Sequence, residues 1–262
     1  MESLVRFQLE YGAELWGFDV WREGEQIQYN MGRRILRCSS MTSKAAIQGD
    51  LGFLLLRTRR DLKKLLYWMK IILMDNNRLV KIMYIYSKQQ CIKFKKVNWV
   101  SSLKKIVIKY NIKYLWDDET KLFNLDNKGN NESKNDKDHF TFWKNWIKKK
   151  LFLYEEIKWK VEVEKKPKLR TYKKLKTNLK LEMYLSTNNW KGRMYITNLR
   201  SGTNCLEIEQ GRWRHLKEED RLCKYCKLNQ VESELHFLTQ CTLYERKILF
   251  HNFGHILITN GI

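Results

Sequence analysis

The chain has 262 residues, 43% of them hydrophobic and 13% aromatic, with 51 Lys/Arg against 29 Asp/Glu and a net charge of +22. That apolar content excludes disorder throughout and suffices for one large domain or two small ones. The charge points to a polyanionic partner, nucleic acid ahead of an anionic membrane, although AT-rich coding bias, which raises Lys, Asn and Ile together, is a second source of it. The opening MESLVRFQLEYGAELWGF breaks its apolar runs with charge, so no secretory leader is expected. No stretch reaches the roughly 18 apolar residues of a membrane span, so no membrane partner is expected. A nuclear or cytoplasmic location follows, in which thiols stay reduced.

Positive charge concentrates in mid-chain. Residues 57–116 hold sixteen Lys/Arg against two Asp/Glu, and residues 139–181 hold fourteen against four, whereas residues 182–262 hold eleven against nine. In chain order, Thr42 or Ser43 is placed to cap a short helix over 43–48 that Gly49 would end. From Asp61, Leu62, Leu65, Leu66, Met69, Ile72 and Leu73 recur at helical spacing, with Lys63, Lys64 and Lys70 off the stripe as a basic outer face. Ser101 or Ser102 would cap a helix carrying Leu103, Ile106, Val107 and Tyr110. Trp116-Asp117-Asp118-Glu119 reads as a solvated acidic turn. Residues 124–138, NLDNKGNNESKNDKD, read as a polar linker. Phe140, Trp143, Trp146, Ile147 and Tyr154 mark the next helix. KWKVEVEK, 158–165, alternates and predicts a strand or an extended linker. Pro167 separates it from a helix with Tyr172, Leu175, Leu179 and Met183, and a short helix over 194–199 stops near Gly202. The fold class expected is mainly α: an irregular multi-helix region followed by a small metal-bound lobe.

Three of the six cysteines gather in RLCKYCKLNQVESELHFLTQC as Cys223-x2-Cys226-x9-His236-x4-Cys241. A C-x-x-C turn presents two thiolates from one tight loop, and a His and a Cys from the following segment complete a tetrahedral set suited to Zn²⁺. Three thiolates and an imidazole leave no open position, so the zinc is expected to be structural rather than catalytic. Cys38, Cys91 and Cys205 read as ordinary buried thiols. His251 and His255 lie one helical turn apart but lack companions for a second site.

The surrounding residues carry a resemblance. Leu199-Arg200-Ser201-Gly202, then Leu206-Glu207-Ile208-Glu209-Gln210-Gly211-Arg212, Arg221-Leu222-Cys223, and Val231-Glu232-Ser233-Glu234 before His236-Phe237 form an ordered series. The series resembles the C-terminal zinc-binding region of non-LTR (LINE-like) retrotransposon reverse transcriptases. Upstream, YGAELWGF (11–18), Ala45-Ala46, Gly49-Asp50-Leu51-Gly52, Tyr67-Trp68, Trp99-Val100 and Glu182-Met183-Tyr184-Leu185 are similar to later landmarks of the same elements. The match is weakest over 75–180.

The resemblance implies a thumb-like helical region over 1–123, the polar linker 124–138, a basic helical arm over 139–204 and a zinc-binding lobe over 205–262. The Phe/Tyr-x-Asp-Asp turn of a polymerase palm does not occur in the sequence, and neither does the endonuclease of these elements. The expectation is therefore a non-catalytic piece of an RNA-directed DNA polymerase, partnered by template RNA or target DNA and by a separately encoded polymerase core. Arg193, Arg200, Arg212, Trp213, Arg214, Lys224, Tyr225 and Lys227 are the expected nucleic-acid contacts: cations for phosphates and rings for unpaired bases. A zinc-stabilised protein-interaction module, or a transposon remnant without a selected role, is the alternative.

Overall fold

A computed structural model describes residues 8, 10–16, 21–122 and 136–243, of which 136–139 are described by backbone alone. The protein is mainly helical, and among the described residues strand pairing is limited to two isolated bridges, Leu51 with Leu181 and Leu222 with Val231. No described helix is long and apolar enough to cross a membrane. Residues 124–135 of the expected linker, and the His251/His255 pair, lie outside the described residues. Residues 136–138 already belong to a helix, Asp136–Glu164.

The chain divides into two compact units, one of residues 1–28 with 54–157 and one of residues 29–53 with 158–262. In the first, the helix Leu56–Leu73 buries Leu65, Trp68, Met69 and Ile72 against Val100, Leu103 and Val107 of Trp99–Lys109 and against Trp143, Ile147 and Leu151 of the long helix. Large aromatics can sit here because their polar atoms are answered. The Trp68 indole donates to Tyr84 Oη at 2.9 Å, and that of Trp143 to the Leu122 carbonyl at 2.9 Å.

Lys64 does not belong to a basic outer face. It is 1% exposed, 3.5 Å from Asp61, and burial lowers its pKa to about 8. Asp61 also accepts from Lys109 at 2.7 Å and Tyr110 at 2.9 Å. Trp99–Lys109 starts one turn earlier than expected. Its cap is Asn98, whose side chain accepts from Ser101 N while Ser101 Oγ accepts from Asn98 N. Glu119 is not simply solvated, because it accepts from Lys88 at 2.6 Å and from Tyr84.

In the second unit, Lys44–Leu51 runs through Gly49 and ends at Gly52, which takes a left-handed φ of 61°. Gly49 is a packing residue instead of a stop. A β-carbon there would lie 2.2 Å from Tyr172 Oη and 2.7 Å from the Trp159 ring. Both rings reach this helix, Trp159 Nε1 donating to the Ala45 carbonyl at 2.8 Å and Tyr172 Oη to that of Ala46 at 3.1 Å.

Residues 158–164 are helix, not strand. Trp159 and Val163, one helical turn apart, are both buried, a spacing that the charged residues between them obscure in the sequence. Beyond Pro167, Arg170–Leu175 is a single short helix. Leu179 is buried outside it, and Met183 starts a separate tight turn, 183–186. Trp190–Arg200 is opened by Asn189, whose side chain accepts from Gly192 N, and is followed by Gly202 at φ 64°.

Buried charge crosses this core. Arg200 donates to Glu182 at 2.6 Å, lies 3.6 Å from Asp50 and has its guanidinium over Tyr172 and Tyr184. Tyr184 Oη donates to Asp50 at 2.7 Å, and Lys176 also pairs with Glu182. Burial pushes the Asp50 carboxyl above its ordinary pKa despite Arg200. For Glu182 burial acts the same way but is outweighed by Arg200 and Lys176, which hold it low.

Candidate metal centre

The site is built on a short antiparallel pairing. Cys223 N donates to the Gln230 carbonyl at 2.9 Å and Glu232 N to that of Arg221 at 3.0 Å, with Asn229 at φ 50° in the return turn. Asn tolerates that left-handed conformation better than most residues. The pairing presents Cys223 and Cys226 from one knuckle. Ser233 then starts a helical turn, its Oγ accepting from His236 N at 3.1 Å. The turn ends in a wide bond from Cys241 N to the His236 carbonyl, 2.8 Å, which brings the last thiol back under the imidazole.

The four ligand atoms lie within 4.8 Å of one another and could hold one metal ion. Cys226 Sγ is 3.4 Å from His236 Nε2, and Cys223 Sγ is 3.9 Å from Cys241 Sγ. Cys223, His236 and Cys241 are buried and Cys226 is half-buried, so the centre is closed. Gln230 Oε1 lies 3.1 Å from His236 Nδ1. A proton on Nδ1 donated to this amide oxygen leaves the Nε2 lone pair facing the three sulfurs, the tautomer a metal needs. Burial raises the Cys223 thiol to about 11, whereas the Leu228 backbone N–H draws Cys226 below its ordinary value. A bound cation would hold both as thiolates.

The acidic residues around the ligands are structural. Glu232 Oε2 accepts from Glu207 N at 2.7 Å, at the start of the Glu207–Trp213 helix, where a carboxylate is favoured. Glu234 and Glu209, both nearly inaccessible, are joined by Arg170, whose two Nη atoms lie 2.6 Å and 2.7 Å from them. Thr171 and Asn204 complete the partners of Glu234 at 3.0 Å and 3.2 Å. Neither Gln230 nor Arg170 was singled out from sequence. Gln230 lies between the ligands and could have been suspected from its place in the hairpin, but nothing in the sequence announces Arg170.

The expected nucleic-acid contacts fare unequally. Arg200 is inside the second unit and is not a surface contact. Arg193 is half-buried and donates to the Leu185 carbonyl at 3.0 Å. Arg212 pairs with Glu209 at 2.9 Å and stacks on Trp213, while Lys224, 2.7 Å away, and Arg214 both pair with Glu207. Burial works against the Glu207 carboxylate, but Lys224 and Arg214 outweigh it and hold its pKa low. Trp213, Tyr225 and Lys227 are exposed. Cys205 is exposed and Cys38 and Cys91 are half-buried, so these three are not core thiols.

Comparison of the chain with protein-family models, with curated proteins and with solved structures gave no match.

Proposed function

We propose that this chain is a non-catalytic, zinc-stabilised nucleic-acid-binding module of the kind that closes LINE-like reverse transcriptases, acting on template RNA or target DNA beside a separately encoded polymerase core. The observation that carries this reading is the closed Cys223/Cys226/His236/Cys241 cluster in a chain of net charge +22. Zinc bonds of about 2.3 Å to sulfur and about 2.0–2.1 Å to nitrogen give tetrahedron edges of about 3.8 Å between sulfurs and about 3.6 Å between sulfur and nitrogen. The 3.9 Å and 3.4 Å separations lie close to these values. Three thiolates favour zinc over magnesium or calcium, which prefer oxygen. The zinc supplies no chemistry to a substrate here: its role is to organise a lobe too short to build its own core. The motif series through Leu199–Gly202, Leu206–Arg212 and Val231–Glu234 supports the family reading, and the lack of a Phe/Tyr-x-Asp-Asp turn in this sequence supports a non-catalytic role. A nuclear or cytoplasmic location, where thiols stay reduced, suits the three cysteine ligands.

A second reading, a zinc-stabilised protein-interaction lobe, is favoured by one observation: Arg212, Arg214 and Lys224 are neutralised by Glu209 and Glu207 rather than left for phosphate. Metal analysis and single-stranded RNA binding on one purified sample separate the two. One zinc per chain, with RNA affinity that falls steeply with salt, is expected for the module. Cys223→Ser and His236→Ala should lose the metal. A zinc-loaded chain that binds no RNA or DNA would leave the interaction lobe, and a chain without metal would remove the basis of both.

A further inference from the structure

The ion-paired cations of the metal lobe contrast with a second basic and aromatic surface in the unit of residues 29–53 and 158–262. The Arg22–Leu36 helix ends at Arg37, which takes a left-handed φ of 50°. That turn carries the Arg37 guanidinium over the Trp190 ring, 4.2 Å from its centre. Trp190 opens the Trp190–Arg200 helix and remains 40% exposed. Gly192, Thr197 and Arg200 take the buried side of that helix, while Trp190, Lys191 and Tyr195 share its solvent side. Lys191 Nζ lies 5.7 Å from the Trp190 ring centre, and Tyr195 is 59% exposed. Arg34, one turn before Arg37, is exposed. Among the described residues, none of Arg34, Arg37 and Lys191 has a carboxylate partner.

A guanidinium on an indole face holds the ring in one orientation at low entropic cost and leaves the opposite face for a second planar group. Unpaired bases present such planes. Duplex bases are stacked on their neighbours and do not. Unpaired cations beside the ring meet phosphate without first breaking an ion pair, unlike those around Glu207. Resting on the reading of the chain as a nucleic-acid module, we propose that Trp190, backed by Arg37, is a stacking platform for an unpaired nucleobase. Lys191 and Arg34 contact the adjoining phosphates, and Tyr195 extends the aromatic surface.

The test is fluorescence anisotropy of a labelled oligo-uridine and of a duplex of similar length, over a range of salt, using the full chain with its metal content checked. Trp190→Leu keeps apolar bulk beneath Arg37 but removes the ring, and it should weaken single-strand binding by about 5- to 150-fold. Trp190→Phe should restore most of the affinity, which a merely misfolded variant would not do. Lys191→Ala should flatten the salt dependence, and Trp190→Leu should cost more single-strand affinity than Trp213→Ala or Tyr225→Ala. Wild-type affinity in Trp190→Leu, with binding lost instead in Trp213→Ala, would overturn the platform and leave the module reading standing. Absence of binding to any nucleic acid by the metal-loaded wild type would overturn both.

Discussion

Single residues decide how firmly the metal is held and how the buried charges balance. Gln230 makes the hydrogen bond that fixes His236 for coordination, so Gln230→Ala should weaken metal binding by about 10- to 100-fold, read by chelator competition, while the fold of the loaded chain persists. An unchanged affinity would mean that the imidazole is oriented by its own turn. In the second unit, Glu182 is one of two carboxylates facing the buried Arg200. Glu182→Gln should cost about 3 kcal/mol at neutral pH, because it leaves a buried charge poorly compensated. The folded pKa of Glu182 is depressed, so its contribution is full above the unfolded value, about 4.3, and is lost as pH falls through the folded value. Urea titrations should therefore show the gap between wild type and Glu182→Gln narrowing below about pH 4. A gap that stayed constant would remove Glu182 ionisation as its source. Charge type is written in the sequence. That Arg200 points inward while Arg37 reaches an exposed ring is not, because both are arginines near helix ends and their surroundings differ only after folding.

At the scale of elements, local chemistry was legible where neighbours in sequence supply the partners. The stripe from Leu62 to Leu73, the break at Pro167 and the Cys-x-x-Cys turn are of this kind. It failed where two signals compete. Asn98 and the two serines are all competent caps, and only the closed Asn98–Ser101 pairing selects one. Asn98→Ala should cost about 1 kcal/mol by urea denaturation, with Ser102→Ala nearly neutral. Alternating charge suggested a strand or an extended linker at 158–165, yet Trp159 and Val163 are buried one helical turn apart, and Trp159 reaches Ala45, far away in the chain. Gly49 read as a helix stop because glycine is a common one, whereas its role is to admit two aromatic rings. Gly49→Ala should destabilise by about 1–3 kcal/mol despite the better helix former, since the added methyl has no room beside Tyr172 and Trp159. A stabilised variant in the same denaturation assay would refute that packing account.

For the whole molecule, the metal ligands and the tryptophan-rich core belong to different compact units. Chelation should therefore act regionally. Hydrogen exchange after metal removal should show protection lost over 206–213 and 221–241 and retained over 65–72 and 103–107. Uniform loss would indicate that the two units fold as one cooperative block. The combination of residues 29–53 with the chain beyond 158 was not legible, because no periodic pattern records which distant segments share a core.

The sequence by itself determined the helical class, through apolar spacing, and the four candidate ligands, through a spacing that a tight turn imposes on any chain. It also determined the excess of positive charge. Only the tertiary structure decided which charges are spent internally. Glu207, Glu209 and Glu234 take up Arg170, Arg212, Arg214 and Lys224, Arg200 is enclosed by Asp50 and Glu182, and Arg37 is left on Trp190. The reason is physical: an ion pair depends on separation and burial, and both are set by which distant segments the fold brings together.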